Sequence, residues 1–135
     1  MATVVSGEFD VKVNPQKADN PEAESAGLSR MSLDRRFHGA LEATSKGEMI
    51  SVMAEVQGSG VYGAIERVTG TLDGRSGSFV LHHRGIMTRG VPQLMVTVAP
   101  DSGTGELTGL TGEMAITITE GKHFYEFAYN LTKAI

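Results

Sequence analysis

A short glycine pattern occurs twice in this sequence, and its spacing is the feature that most constrains the fold. The two copies consist of Gly70, Leu72, Gly74 and Gly77, and of Gly105, Leu107, Gly109 and Gly112. Each copy leads into a segment in which apolar residues alternate with others, which is typical of a half-buried β-strand. Glycine is preferred where a strand kinks or a turn needs a positive φ, so the pattern predicts one hairpin unit used twice in a curved sheet.

The rest of the chain also alternates with period two and is divided by turn residues. Phe9, Val11 and Val13 indicate the first strand, and Asp73-Gly74 is a strong hairpin signal because both residues tolerate left-handed backbone angles. A loop from Asn14 to Ser29, with one helical turn near Glu22, is the main interruption. The sequence therefore predicts an all-β domain over residues 1–135: a small closed antiparallel β-barrel of about eight strands with little or no helix.

Composition excludes several classes of function. The 135 residues include 17 glycines and no cysteine, and the net charge is −4. Disulfides and thiolate chemistry are thereby excluded, and with no basic stripe we expect no nucleic-acid partner. No segment is apolar over the length needed to span a bilayer, so we expect no membrane partner and a cytoplasmic location.

Histidine and glutamate supply the candidate acid–base groups. The chain has four histidines, but the adjacent His82 and His83 would point to opposite faces of a strand, so we predict no metal site and no cofactor. His83 and His38 are the better candidates for acid–base chemistry. Among the carboxylates inside predicted strands, Glu66 stands out, because an inward-facing carboxylate in an apolar lumen would have a raised pKa. The alternatives are that Glu66 pairs with an arginine such as Arg36 or Arg84, or that it faces water.

An aromatic stripe marks the last predicted strand. Tyr125, Phe127 and Tyr129 share one face of it. Such a stripe can line a pocket for an apolar ligand, belong to the core, or form part of a subunit interface. The catalytic candidates are Glu66, His83 and Tyr125. The candidate ligand-binding residues are Arg36, His38, Glu42, Tyr62, Glu66, His83, Tyr125 and Phe127.

Four segments together resemble a family of small bacterial proteins, the domain-of-unknown-function family 3224. They are Phe37 to Met49, Ile65 to Phe79, Pro100 to Gly112, and Gly121 to Phe127. Members of that family look like the barrel of allene oxide cyclase, a fold shared with dirigent proteins, and the turn from Gly103 to Gly105 is the most similar part. The resemblance implies binding of apolar or reactive small molecules in the lumen, and a homo-oligomer. The relatives' catalytic residues do not carry over onto matching positions.

Three functions remain open from the sequence. The first is a barrel that binds an apolar or amphipathic small molecule in its lumen. The second is a cyclase or isomerase, in which the barrel confines a reactive substrate while Glu66, His83 or Tyr125 supplies a proton or a hydrogen bond. The third is a structural or assembly protein, whose lumen would be filled by side chains. Whether the chain is an enzyme is therefore undecided at this point.

Overall fold

The computed structural model describes residues 2–17 and 19–131. In this part of the chain eight strands form a closed barrel, in which each strand pairs antiparallel with its neighbours in sequence and β1 pairs with β8. Outside the strands lie one short helix, α1 (Pro21–Ser25), and one 3₁₀ turn (Gly105–Leu107). The predicted all-β closed barrel of about eight strands is confirmed. The strands are β1 (Thr3–Gln16), β2 (Leu28–Phe37), β3 (Leu41–Met53), β4 (Gly60–Leu72), β5 (Arg75–Thr88), β6 (Val91–Val98), β7 (Leu110–Thr119) and β8 (Lys122–Leu131).

Three tight hairpins have two central residues with positive φ, the backbone that matches the twist of paired strands. Asp73-Gly74 joins β4 to β5 with φ values of 50° and 81°, and Glu120-Gly121 joins β7 to β8 with 52° and 79°. The Asp73-Gly74 turn was predicted from the sequence. The third, Arg89-Gly90 between β5 and β6, has 46° and 87°. Arginine is not a turn-forming residue, so only Gly90 could have indicated it.

The two copies of the glycine pattern have different structures. The first copy is the β4–β5 hairpin, in which Gly70 lies opposite Gly77. The second copy was predicted to be a hairpin as well, and this was wrong: Gly105 and Leu107 form the 3₁₀ turn, and Gly112 lies inside β7. The reason is tertiary, because this segment carries the chain from β6 to β7 across the end of β5.

The β6–β7 connection is hydrogen-bonded to β5 through Thr104. The Thr104 amide donates to the Ser78 carbonyl at 2.8 Å, and the Ser78 amide donates to the Thr104 hydroxyl at 3.1 Å. Gly77 permits this approach, because a β-carbon there would collide with the Thr104 carbonyl oxygen. Leu107 is 1% exposed and enters the core. The connection therefore closes one end of the barrel.

The hydrophobic core occupies the half of the barrel near this closed end. Phe79 and Phe127 stack there with ring centroids 5.8 Å apart, and Phe37 meets Tyr125 edge-on at 5.7 Å. At the opposite end, the inward-facing positions of β3, β5 and β6 carry exposed apolar side chains, among them Met53, which is 66% exposed. We call this the open end; it carries the β3–β4, β5–β6 and β7–β8 turns.

The seam between β6 and β7 is the weakest part of the barrel wall. Only Thr97 and Glu113 pair across it, whereas β4 pairs with both neighbours along its whole length. Leu94 on β6 and Ile118 on β7 are 44% and 66% exposed, although their strand positions face inward. Strands β6 and β7 are therefore paired beside the core and separate from each other towards the open end.

Candidate functional site

Strand register brings four polar side chains together inside the barrel. Arg35 on β2 lies directly opposite Ser45 on β3, and Glu66 on β4 lies opposite Gly47. His83 on β5 is opposite Ala64, the next inward position from Glu66. Ser45 and His83 lie on the two strands paired with β4, within reach of Glu66, and the long side chain of Arg35 reaches Glu66 across β3. We call Arg35, Ser45, Glu66 and His83 the polar cluster.

Gly47 allows β3 to lie close to the backbone and β-carbon of Glu66. A β-carbon at Gly47 would lie 2.5 Å from the β-carbon of Glu66 and 2.5 Å from the Ile65 carbonyl oxygen. Real β-carbons do not approach so closely, so a larger residue at Gly47 would push β3 away from β4. The glycine therefore lets Glu66 stay inside the barrel wall.

Glu66 is the centre of the polar cluster and is 0% exposed. Its Oε1 accepts from His83 Nε2 at 2.6 Å and from an Arg35 terminal nitrogen at 3.3 Å. Its Oε2 accepts from the Ser45 hydroxyl at 2.6 Å. The Arg35 guanidinium also lies over the ring of Phe9, 5.2 Å from its centroid, which is a cation–π contact.

These contacts determine the charge of Glu66. Burial alone would raise the pKa of the carboxyl, but the His83 and Ser45 hydrogen bonds and the positive charge of Arg35 outweigh burial and lower the pKa. The expectation of a raised pKa was wrong, because the lumen is polar at this position. Glu66 is therefore ionised at neutral pH and is not poised to donate a proton.

Ser45, Glu66 and His83 do not form a nucleophilic triad. In such a triad the serine hydroxyl is hydrogen-bonded to the histidine, which takes its proton. Here the Ser45 hydroxyl donates to Glu66, on the oxygen that His83 does not use. Ser45 therefore stabilises the ionised carboxylate of Glu66 by donating a hydrogen bond to it.

An apolar pocket of about 290 Å³ lies at the open end, next to the polar cluster along the strands. Tyr62 lies opposite Gly85, and its ring occupies the space that a β-carbon of Gly85 would need. The next inward positions on these two strands are Ala64 and His83. Burial raises the pKa of Tyr62, with opposing effects from Arg35 and Glu66, so its hydroxyl is neutral at pH 7. The pocket is lined by Ser51, Met53, Gly60, Val61, Tyr62, Gly85, Ile86, Met87, Pro92, Gln93 and Leu94.

The structure separates the other predicted ligand-binding residues from this region. Arg36 is exposed and lies at an outward-facing position of β2. His38 lies in the β2–β3 turn at the closed end, where Nε2 is 2.9 Å from an Asp10 carboxylate oxygen and Nδ1 is 3.7 Å from Glu42. Glu42 also accepts from the Gly39 amide at 3.3 Å. His38 and Glu42 therefore belong to the surface of the closed end.

Tyr125 and Phe127 lie in the core at the closed end. The Tyr125 hydroxyl donates to the His38 carbonyl at 2.8 Å and accepts from the Leu41 amide at 3.2 Å. Burial raises the pKa of Tyr125, against the Leu41 hydrogen bond, which lowers it. The sequence left three roles open for the aromatic stripe, and in the structure the stripe belongs to the hydrophobic core. Tyr125 links β8 to the β2–β3 turn.

Arg35 and Ser45 were missed by the sequence reasoning, which offered Arg36 or Arg84 as the partner of Glu66. Arg36 and Arg84 are both exposed, whereas the Arg35 side chain is only 10% exposed. The signal was present, since Arg35 has the same parity as the inward-facing Leu33 and Phe37. The alternation of β2 therefore places Arg35, and not Arg36, on the inward face, where it can pair with Glu66.

Among the residues that the structure describes, no group of three or more histidine, aspartate or glutamate side chains could hold a metal ion. In the same part of the chain no helix is long and apolar enough to cross a bilayer.

Comparison with known proteins identifies the family. No curated protein matches the chain. The crystal structure of a protein with unknown function from the DUF3224 family of Shewanella oneidensis MR-1 is similar to this chain, with 53% identity and a TM-score of 0.92 over 99% of this chain and 100% of that chain. A family model described as protein of unknown function (DUF3224) matches residues 5–129. The chain therefore belongs to the DUF3224 family.

Proposed function

We propose that this barrel binds an apolar or amphipathic small molecule in the lumen at its open end. The observation that carries the proposal is the apolar pocket of about 290 Å³, bounded by Tyr62 and Gly85 and followed inward by a buried polar cluster. Ligand sites are commonly concave and apolar, with a few polar groups that fix orientation, and the mouths of β-barrels are frequent places for them.

The distribution of side chains along the barrel supports binding over a purely structural role. A filled barrel would be packed from end to end, as its closed half is around Phe79 and Phe127. At the open end, Met53 and Met87 are 66% and 40% exposed at inward-facing positions. Apolar surface in a concave pocket is an expected feature of a ligand site.

An isomerase or cyclase is the second candidate, and His83 is the observation that favours it. The imidazole is 1% exposed and its Nε2 is bonded to a carboxylate, an arrangement that orients a histidine for proton transfer. Glu66 itself is ionised, so it would orient His83 and would not act as the acid. Tyr125 lies among the core residues and is not part of this alternative.

Native mass spectrometry of freshly purified protein, followed by organic extraction, tests the binding proposal. We expect a bound small molecule in the wild-type protein, and its loss in Leu94→Trp, which places a large side chain in the pocket. The matched control is Met95→Trp, on the adjacent outward-facing position of β6, which should retain the molecule. A wild-type protein that is always free of ligand, and that takes up no added apolar compound, would contradict the proposal.

The same spectra give the oligomeric state, for which we propose a homo-oligomer. An outer groove of about 700 Å³ around Gly63 supports this, since Ile50 and Ile65 beside it are 55% and 63% exposed. Burial of such residues favours association. A monomer at micromolar concentration would contradict it. The likeness to allene oxide cyclase and the cytoplasmic location stay predictions.

A further inference from the structure

Methionine side chains are concentrated on the inner wall of the barrel towards its open end. Four of the seven methionines take inward-facing strand positions there, namely Met31 on β2, Met49 and Met53 on β3, and Met87 on β5. Met31 lies directly opposite Met49, and Met53 and Met87 both lie opposite Gly60, one on each side of β4. The inner wall at this end is therefore rich in thioether groups.

Two glycines of the pocket wall make room for a thioether and an aromatic ring. A β-carbon at Gly60 would lie 2.7 Å from the Met53 sulfur, and a β-carbon at Gly85 would lie 2.7 Å from Cζ of the Tyr62 ring. The sulfur and the ring thus occupy the space that a side chain would need at these positions. Both glycines line the apolar pocket, together with Met53, Tyr62 and Met87. The sulfur and the ring are therefore part of one pocket wall.

The pocket wall carries no charge. None of the eleven residues that line it is acidic or basic, and its polar members are Ser51, Tyr62 and Gln93. Moving an ionised group out of water into such a place, without a counter-charge, is expensive. The part of a ligand that enters the pocket is therefore neutral.

Thioethers and an aromatic side chain distinguish between kinds of apolar ligand. Sulfur is polarizable, and a contact with an aromatic ring contributes on the order of two- to tenfold in affinity. Aromatic rings also pack favourably against each other, stacked or edge-on, and Tyr62 offers such a ring. A saturated chain gains neither contribution. The wall therefore favours an aromatic ring over a saturated group of equal size.

We propose that the small molecule bound at the open end carries an aromatic ring, which contacts the thioethers of Met53 and Met87 and the ring of Tyr62. This inference rests on the proposed binding function and adds the chemical class of the ligand. At about 30 Å³ for each water-sized group, a pocket of about 290 Å³ holds about ten non-hydrogen atoms. That is enough for one ring with a short substituent.

Isothermal titration calorimetry with three alcohols of equal heavy-atom number tests this: 3-phenylpropan-1-ol, 3-cyclohexylpropan-1-ol and nonan-1-ol. The two saturated alcohols are the more hydrophobic, so a pocket that recognises only apolar surface would bind them more tightly. We expect the opposite order, with the phenyl compound bound about threefold or more tightly than the cyclohexyl compound. All three should lose binding in Leu94→Trp.

The double variant Met53→Leu, Met87→Leu removes both thioethers and keeps the apolar volume. Exchange of methionine for leucine is well tolerated, and these two side chains are 66% and 40% exposed, so the fold should be retained. The phenyl compound should bind about fivefold more weakly to this variant, while the affinity for the cyclohexyl compound stays within about twofold. The matched control is Met95→Leu, on the outward-facing side of β6, which should change neither affinity.

The other outcomes overturn the inference in distinguishable ways. Equal affinities for the phenyl and cyclohexyl compounds, or tighter binding of the cyclohexyl compound, would reject the aromatic ligand and leave the binding function standing. A preference for the phenyl compound that survives in the double variant would reject the thioether contacts. No binding of any alcohol, or binding that Leu94→Trp does not change, would reject the lumen site together with the aromatic ligand.

Discussion

Glu66 is a buried charge whose partners all come from other strands. Its carboxylate is bonded to β2 through Arg35, to β3 through Ser45 and to β5 through His83. Removal of one member of such a cluster leaves the others buried without compensation, which costs far more than an exposed ion pair contributes. The residue therefore holds four neighbouring strands in one register.

We expect Glu66→Gln to lower the free energy of unfolding by about 3 kcal/mol, because it leaves the positive charge of Arg35 buried and unpaired. Urea unfolding at neutral pH measures this. The matched control is Glu48→Gln, which breaks the ion pair of Glu48 with Arg30 at 2.5 Å. Glu48 is 55% exposed, so we expect a loss of less than about 1 kcal/mol. Equal losses in the two variants would contradict the structural role of the cluster.

The stability that Glu66 contributes should depend on pH. The pKa of Glu66 is lowered on folding from its ordinary value of 4.5, so the unfolded chain takes up this proton more readily than the folded protein. Its contribution is therefore complete above about pH 4.5 and is lost as the pH falls below that value through the folded-state pKa. The stability difference between wild type and Glu66→Gln should shrink as the pH falls below about 4.5. A difference that grows as the pH falls would contradict this sign.

At the scale of elements, two glycines in strands have opposite roles. A β-carbon at Gly77 would collide with the Thr104 carbonyl of the β6–β7 connection, whereas one at Gly63 would meet open space. We expect Gly77→Ala to destabilise the protein by about 1–3 kcal/mol, since the connection must move away from β5. Gly63→Ala should stabilise it by about 0.5 kcal/mol, because glycine is costly inside a strand. Thermal unfolding of both variants checks these signs, and a harmless Gly77→Ala would disprove the packing described for the closed end.

The β6–β7 seam should be the first part of the barrel wall to open. β6 is paired with β5 along its length but with β7 only at Thr97 and Glu113. Strands with few paired neighbours open locally at low free energy. In hydrogen–deuterium exchange, peptides from β6 should exchange on the order of tenfold faster than peptides from β4. Equal protection of the two strands would show that the seam is closed in solution.

For the whole molecule, local patterns in the sequence predicted the barrel well. Alternation and turn chemistry act between neighbours in the chain, so Phe9 to Val13 and Asp73-Gly74 were sufficient to indicate a strand and a hairpin. The second glycine copy was misinterpreted because its structure is determined by contact with β5, far away in sequence. Tertiary context overrides local pattern at such a position.

The candidate site could be predicted only in part. Parity predicted that His82 and His83 point to opposite faces and favoured an inward Glu66; in the structure His83 and Glu66 are buried and His82 is exposed, because period-two alternation holds along β4 and β5. Which inward-facing residues contact each other depends on the register between strands, which the sequence pattern does not give. In the structure Glu66 contacts Arg35, and Tyr125 lies apart from them in the core. The lowered pKa of Glu66 could not be foreseen for the same reason, since its cause is the set of cross-strand partners.

The most direct test of the lumen site is an NMR titration of methionine methyl groups with nonan-1-ol. The chain has seven methionines, of which Met53 and Met87 line the pocket, while Met95 lies on the outer face of β6. We predict saturable shifts of the Met53 and Met87 methyl signals and an unchanged Met95 signal. Unchanged Met53 and Met87 signals, or shifts of equal size at Met95, would contradict binding in the lumen.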